Sequence, residues 1–336
     1  MTMTVMFKYN TSQAQDPQFS QYYAAPMYLN PALVGINQKG RAGINYRNQW
    51  PSIAANFETY SFSLEYNWED YYSSAGIIVN TDREGIAGLE STNIGLQYAY
   101  QVRLNYQWTF RPGIEFSYYW RNVDFSRLTF GDQFDQTGQV RPTTGEVFNA
   151  QNARFFDMAL GGIIFNPKAW VGYSMHHVLE PNQSLAGGDS PLPRRISIHG
   201  GYKIPFTAIN KREGLNPGGK ERSMTPSVNY RAQGDFDQLD LGLYFTLEPI
   251  LIGTWYRGIP VKSVDGIANS ESVIFMVGFS KNNLSVGYSF DYTVSDLGIR
   301  SGGAHEISLA YSFSLADPRK PPKNVRELSC PVPFIF

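Results

Sequence analysis

Residues 306–314 have the sequence EISLAYSFS, in which apolar and polar side chains alternate strictly. Because successive side chains of a β-strand point to opposite faces, one face of this segment carries Ile307, Leu309, Tyr311 and Phe313. Three other segments repeat the arrangement: LSVGYSFDY at 284–292, NIGLQYAYQV at 93–102 and TYSFSLEY at 59–66. Each predicted strand therefore has one apolar, aromatic face and one small or polar face.

The polar face is too small and too often charged to be only the solvated exterior of a soluble barrel. The composition favours the opposite arrangement, with apolar side chains toward lipid and polar side chains toward the lumen. Charged residues make up 17% of the 336 residues and aromatic residues 15%, whereas soluble domains carry about 25% charged residues. The sequence thus predicts an all-β fold, a transmembrane antiparallel β-barrel of the cell outer membrane. A large soluble all-β protein is the alternative.

The alternation predicts about fourteen strands, an even number, as is usual for bacterial outer-membrane barrels. The predicted spans are 41–50, 56–67, 72–80, 92–103, 105–122, 154–165, 168–178, 194–206, 225–233, 236–247, 249–258, 270–280, 283–293 and 304–315. With both ends of the barrel at the periplasm, most long connections lie outside, at 81–91, 123–153, 179–193, 259–269 and 294–303. The exceptions are a short outer turn at 232–235 and a long inner connection at 207–224.

Four regions follow from these spans. Residues 1–14 are predicted to be the remnant of a signal or leader, since Ser12-Gln13-Ala14 resembles a cleavage site although a clear apolar core is missing. Residues 15–40 form an N-terminal segment, 41–315 the barrel, and 316–336 a Pro-rich, basic periplasmic tail. The single cysteine, Cys330, excludes a disulfide framework.

The N-terminal segment contains QDPQFSQYYAAPMYLNPALVG at 15–35. Its prolines are unsuited to a helix interior or a central strand, and its aromatic side chains need burial. We expect residues 16–35 to fold inward from the periplasmic mouth as an irregular plug; packing beneath the barrel or waiting for a partner are the alternatives. The candidate plug residues are Asp16, Pro17, Phe19, Ser20, Tyr22, Tyr23, Tyr28, Leu29, Asn30 and Pro31.

Two other regions are candidate partner surfaces. The outer loop 123–153 mixes polar residues with Phe125, Phe130, Phe134 and Phe148, a composition that favours a binding surface. The inner loop and the tail are basic, and their candidate residues are Lys211, Arg212, Lys220, Arg222, Arg319 and Lys320. Solvated loops are the alternative interpretation in both places.

No catalytic or metal-binding motif stands out, so neither an enzyme nor a cofactor is predicted. His176 and His177 are adjacent in a predicted strand, so they point to opposite faces and cannot ligate one metal together. Alternation with the neighbouring residues places His177 outward and His176 in the lumen. A formal net charge of −1 gives no indication of nucleic-acid binding.

The N-terminal segment closely resembles the signature of the PorP/SprF family, type IX secretion-associated outer-membrane proteins of the Bacteroidota. The matching residues are Asp16-Pro17-Gln18-Phe19-Ser20-Gln21-Tyr22, Tyr28-Leu29-Asn30-Pro31-Ala32 and Gly35. A second match, VGYSFDYTVSDLGIRSGGAHEISLAYSF at 286–313, is similar to the closing hairpin of the family. The resemblance implies a non-enzymatic barrel, embedded in outer-membrane lipid, that serves type IX secretion.

Three functions are consistent with this resemblance and with a barrel that offers partners only loops, lumen or tail. The first is support for the secretion and surface attachment of a large partner adhesin, bound through its C-terminal domain, in gliding motility or adhesion. The second is a translocon component that links the outer membrane to periplasmic lipoproteins or ring subunits of the motor. The third is a diffusion porin, since a fourteen-stranded barrel could be wide enough for a pore.

Overall fold

The computed structural model describes residues 16–37, 40–53, 56–85, 88–134, 140, 143–145, 152–185, 188–206, 222–264, 267–294 and 298–314. The strands are β1 (Gly40–Gln49), β2 (Phe57–Trp68), β3 (Ser73–Glu84), β4 (Leu89–Tyr100), β5 (Val102–Arg103), β6 (Thr109–Asn122), β7 (Asn152–Phe165), β8 (Ala169–His176), β9 (Arg195–Tyr202), β10 (Ile204–Pro205), β11 (Arg222–Gln233), β12 (Phe236–Leu247), β13 (Ile250–Val264), β14 (Ile267–Lys281), β15 (Leu284–Thr293) and β16 (Ala304–Phe313). One α-helical turn, α1, spans Pro26–Leu29, and 3-10 turns span Pro31–Leu33, Glu69–Tyr71, Phe125–Arg127, Gly131–Gln133 and Ile299–Ser301. Within the described ranges, no helix has the length and apolar character needed to cross a membrane.

Fourteen strands close into an antiparallel barrel, which confirms the predicted fold and strand number. Neighbours in sequence pair throughout, and β1 closes the sheet against β16 with Tyr46 opposite Ile307. β9 pairs with β11, and the two-residue strands β5 and β10 add to β6 and β11. Closure gives each barrel strand a hydrogen-bonded neighbour on both sides, which is how a sheet can cross a hydrocarbon environment.

The alternation seen in the sequence separates a lipid face from a lumen face. On β2, Tyr60, Phe62 and Leu64 are 41–42% exposed, whereas Ser61 and Ser63 between them are buried. A band of exposed apolar side chains around a closed sheet is the surface that lipid covers. The apolar-out, polar-in assignment made for these strands therefore holds.

The expectation that the lumen is lined by polar side chains is only partly right. In the barrel half where β1 begins, the lumen side chains include Trp170, Tyr244, Trp255 and Ile274, all buried. They form one apolar cluster with Tyr22, Tyr23 and Leu33 of the N-terminal segment. This half of the lumen is a packed protein core, because a second element is available to cover its apolar side chains.

Four short turns, at 69–72, 166–168, 248–249 and 282–283, lie at the end at which β1 begins and β16 ends, whereas the two longest connections, 123–151 and 177–194, lie at the opposite end. Outer-membrane barrels turn such ends to the periplasm, and we refer to the two ends as periplasmic and external accordingly. Two predicted outer loops are much shorter than expected, since β3 and β4 leave only 85–88 between them, and β13 and β14 only 265–266. The inner connection after β10 is also shorter than predicted, because Arg222 already belongs to β11.

Candidate functional site

Residues 16–37, the lumen segment, lie inside the barrel. Asp16 is at the external end, where its backbone N–H donates to Gln233 Oε1 at 3.1 Å. Gly35 is near the periplasmic end, where its N–H donates to Glu65 Oε2 at 2.5 Å. The segment was expected to fold inward from the periplasmic mouth; it enters there and spans the lumen to the opposite end.

Buried charges of the barrel wall hold the middle of the lumen segment. Ser20 N–H donates to Glu306 Oε2 at 2.6 Å, and Ser20 Oγ donates to Asp291 Oδ2 at 2.6 Å. Two wall guanidinium groups converge on the same hydroxyl, with Arg47 Nη1 at 2.7 Å and Arg257 Nη2 at 3.1 Å. These guanidinium groups also pair with Asp291 at 2.8 and 3.1 Å. Because the charges are paired and hydrogen-bonded, they can remain buried while fixing the position of Ser20.

Asn30 fixes the second half of the lumen segment. Its Oδ1 accepts from Ala32 N–H at 2.9 Å, and this contact caps the 3-10 turn that Pro31 begins. Its Nδ2 donates to the carbonyl groups of Gly162 and Tyr173 at 3.3 and 3.1 Å. The Asn-Pro pair therefore starts a turn and ties that turn to the barrel wall.

Aromatic packing accounts for the Tyr22-Tyr23 pair. The ring of Tyr23 makes edge contacts with Trp170 and Tyr244, at centroid distances of 6.0 and 5.7 Å. Tyr22 packs edge-on against Trp255 at 5.4 Å, and its hydroxyl donates to Asp240. Rings in this geometry contribute roughly 0.5–1.5 kcal/mol per pair beyond area burial.

His177 binds the external end of the lumen segment, and its predicted outward orientation is wrong. His177 Nδ1 lies 2.5 Å from Asp157 Oδ2, and Nε2 lies 2.6 Å from Asp16 Oδ2. The residue follows β8 and has a φ of 57°, so the strand alternation no longer determines where its side chain points. His176 faces the lumen as predicted, and its Nε2 lies 3.5 Å from Leu29 O.

The charges around Asp16 shift its pKa and that of His177. Burial by itself would raise the pKa of Asp16, but the charges of His177 and Arg195 outweigh it and hold this pKa well below its usual range. Arg195 Nη1 lies 2.9 Å from Asp16 Oδ2. Burial by itself would lower the pKa of His177, but the Asp16 charge and the bonds to Asp157 and Asp16 raise it to about 9. At neutral pH a charged imidazolium therefore joins two carboxylates.

Three of the four candidate outer-loop residues are described, and they lie in the connection between β6 and β7 at the external end. Phe125 and Phe130 are half-buried in or next to 3-10 turns, and Phe134 is 53% exposed. Phe148 lies outside the described residues. Their role in binding a partner remains a prediction.

The candidate periplasmic residues are mostly outside the described residues, namely Lys211, Arg212, Lys220, Arg319 and Lys320. Arg222 is described; it is exposed and begins β11 instead of belonging to a loop. Two other side chains stand out at this end: Tyr71 is 72% exposed and Tyr106 is 95% exposed.

In the described part of the chain, no group of three or more His, Cys, Asp and Glu side chains is arranged to hold a metal ion. The lumen segment contacts the wall over much of its length, and pockets remain between the two at the external end.

A family model described as "Type IX secretion system membrane protein PorP/SprF" matches residues 11–311. The chain belongs to the PorP/SprF family. The family and the barrel together make it an outer-membrane protein of the type IX secretion system, which confirms the resemblance of the N-terminal segment and the closing hairpin. Both the lumen segment and all fourteen barrel strands of this PorP/SprF protein fall almost entirely within the matched region.

Solved structures with similar folds include three outer-membrane proteins. Omp33 of Acinetobacter baumannii has a TM-score of 0.43 and 8% identity, with 84% of this chain and 100% of that chain covered. The toluene transporter TodX of P. putida has a TM-score of 0.44 and 9% identity, with 85% and 93% covered. A FadL homologue of Pseudomonas aeruginosa has a TM-score of 0.44 and 11% identity, with the same coverages. No curated protein sequence matches the chain.

Several residues that hold the lumen segment were not singled out from the sequence. They are Arg41, Arg47, Asp157, Arg195, Asp240, Arg257 and the lumen-facing Trp170 and Trp255. The sequence did indicate that the arginines face the lumen, because Arg41, Arg47 and Arg257 lie at polar-face positions of predicted strands. Which of these charges meet depends on the register of the paired strands, which the sequence pattern does not specify.

Proposed function

We propose that this PorP/SprF protein is a closed barrel that supports the surface attachment of a partner adhesin, which it contacts at its external rim. The observation that carries the proposal is the lumen segment, which spans the barrel and is held there by buried ion pairs. A filled lumen leaves the rims and loops as the surfaces on which a partner can bind, and it argues against a diffusion porin.

The external rim has the chemistry of a protein-binding surface. At this end, Phe134, Val140 and Leu179 in the connections and Phe236 at the start of β12 are 44–57% exposed. Apolar side chains exposed at a polar rim are typical of binding sites for other proteins. The C-terminal domain of the adhesin is the partner that we propose for this surface.

A link to periplasmic lipoproteins or ring subunits is the second candidate, because Tyr71 and Tyr106 are highly exposed in two turns at the periplasmic end. Tyrosine is enriched in protein interfaces, where its ring packs and its hydroxyl stays wet. This surface and the external rim are at opposite ends of the barrel, so they can be tested separately.

Deleting residues 127–150 should release the adhesin from the cell surface if the external rim binds it. Deletion of 183–190 from the external connection between β8 and β9 serves as the matched control. Heat-dependent migration in gels reports whether each barrel folds. Wild-type retention in a folded 127–150 deletion would refute the loop's role. Loss of retention only in a Tyr71→Ala, Tyr106→Ala variant would favour the periplasmic link.

A further inference from the structure

The external part of β7 has a paired strand on one side only. β7 pairs with β6 along its whole length, but its pairing with β8 ends at Leu160 opposite Met175. In the described part of the chain, the last backbone bond on the β8 side runs from Val178 N–H to Met158 O at 3.0 Å. Residues 152–157 are therefore an open strand edge at the external end, which we call the β7 edge.

The edge is open because the chain turns away from β7 at His177. The left-handed conformation of this residue ends β8, and its Nδ1 lies 2.5 Å from Asp157 Oδ2 on the lumen side. The connection that follows turns toward the lumen, where Gln183 accepts a bond from Arg121 and both side chains line a pocket beside the lumen segment. The contacts that hold the external end of the lumen segment thus draw away the chain that would otherwise continue beside β7.

The β7 edge presents a regular row of backbone donors and acceptors. The N–H and C=O groups of one strand residue point to the same side, and the side alternates along the strand. Since Met158 O accepts a bond on the β8 side, the backbone groups of Asn152, Arg154 and Phe156 point the same way. Among the described residues, none of these groups has a hydrogen-bond partner. The edge therefore offers three donors and three acceptors over a length of about 20 Å.

The β7 edge is also accessible and unprotected. Asn152, Arg154 and Phe156 are exposed, and unpaired backbone groups place the edge outside the hydrocarbon layer. Free edges are commonly protected by proline, lysine or a bulge, but residues 152–157 contain neither residue and pair with β6 in an unbroken register. By contrast, β13 continues beyond its last pair with β12 with Pro260 and two register shifts. An open, unprotected edge is what strand addition by another polypeptide requires.

We propose that an extended segment of the C-terminal domain of the adhesin adds to the β7 edge as a further strand. The inference rests on the proposed function and deepens it, because it names the surface of the external rim that the partner uses and the form in which the partner binds. Backbone bonding selects an extended polypeptide, and side chains beside the edge select its alternate residues. Phe156 is 73% exposed, and Leu179, next to Val178, is 57% exposed, so apolar residues of the added strand can pack there.

Amide hydrogen exchange on the full chain in detergent tests the β7 edge, with the purified C-terminal domain of the adhesin as the probe. When the domain binds, exchange at Asn152, Arg154 and Phe156 should slow, because their N–H groups gain partners. Arg154→Pro should weaken binding by about tenfold, since proline removes a donor from the edge and leaves the bonds to β6 in place. Arg154→Ala is the matched control; it also removes the side chain but keeps the N–H, and it should bind within about threefold of the wild type.

The outcomes separate this inference from the proposed function. Binding to the wild type without slower exchange at these three amides, or equal affinity of Arg154→Pro and Arg154→Ala, would overturn strand addition and leave attachment at the external rim intact. If the domain does not bind the wild type at all, the proposed function fails and this inference fails with it. Slow exchange at the three amides before the domain is added would show that a second copy or another segment of this chain occupies the edge, which would also overturn the inference. The exchange measurement on the wild type decides the question even if Arg154→Pro does not fold.

Discussion

At the scale of single residues, His177 connects the barrel to the lumen segment. Its φ of 57° is unfavourable for a residue with a Cβ, by roughly 1–2 kcal/mol. The conformation turns the imidazole inward, where it bonds Asp157 and Asp16 at 2.5 and 2.6 Å. Local strain at this residue is thus accompanied by two charge-assisted contacts that fix the external end of the lumen segment.

These contacts predict a pH dependence of stability. The pKa of His177 is raised from 6.5 to about 9, so its contribution is complete below pH 6.5 and is lost as the pH rises through about 9. The pKa of Asp16 is lowered from 3.8, so its contribution is complete above pH 3.8 and is lost as the pH falls below that value. The expected window of full stabilisation is therefore about pH 4 to 6.5. The raised pKa of His177 corresponds to about 3 kcal/mol at most.

Thermal unfolding in detergent at pH 6 and pH 10 should show a larger loss of stability for the wild type than for His177→Gln. His305→Gln is a suitable control, because His305 bonds Tyr288 on the outer face at 2.8 Å, away from the lumen segment. If His177→Gln and the wild type lose the same stability between the two pH values, the imidazolium does not hold the segment.

At the scale of elements, the 3-10 turn Pro31–Leu33 approaches the wall at glycines. A Cβ at Gly161 would overlap Asn30 Oδ1 and lie 3.1 Å from Pro31 Cδ. A Cβ at Gly113 would overlap the backbone of Ala32. The wall strands β6 and β7 therefore need glycine on the lumen face where the turn docks, although glycine weakens a strand interior.

Gly161→Val and Gly162→Val form a matched pair on adjacent positions of β7. Gly161 faces the turn, whereas a Cβ at Gly162 would meet only the end of the Phe110 ring at 3.3 Å. We expect Gly161→Val to lower stability by about 1–3 kcal/mol and to make residues 16–35 sensitive to protease, because the turn is displaced. Gly162→Val should stay within about 1 kcal/mol of the wild type. Equal stability of the two variants, measured by thermal unfolding, would contradict the docking of the turn on Gly161.

At the scale of the whole molecule, the lumen segment runs from the external end at Asp16 to the periplasmic end at Gly35, and β1 follows. The barrel is thus built around its own N-terminal residues, which contact strands from β1 to β16. Some of these contacts join residues that are as many as 287 positions apart in sequence. The lumen segment is therefore an integral part of the fold.

Cysteine labelling on intact cells tests this orientation. In a Cys330→Ser background, Pro17→Cys should react with a membrane-impermeant maleimide, because Pro17 lines an open pocket at the external end. Tyr106→Cys, in a periplasmic turn, should react only after the outer membrane is permeabilised. The reverse pattern would show that the barrel is oriented the other way.

Much of this protein was determined by the sequence alone. Segments such as 59–66 and 306–314 indicated strands with a lipid face, because side-chain alternation depends only on local backbone geometry. Their number indicated the size of the barrel, and the Asp16–Gly35 signature indicated the family. Strand ends were less certain, as β13 and β14 show, because pairing extends strands beyond the apolar pattern.

Only the tertiary structure decided what occupies the lumen and how it is held. Alternation places Arg47, Arg257 and Asp291 on the inner face, but which of them meet at Ser20 depends on the register of strands that are distant in sequence. His177 could not be placed from alternation, because its left-handed conformation is sustained by partners on β7 and in the lumen segment. Local backbone geometry depends on residues that are neighbours in sequence, whereas contacts across a closed barrel depend on strand register and exist only once the barrel has formed.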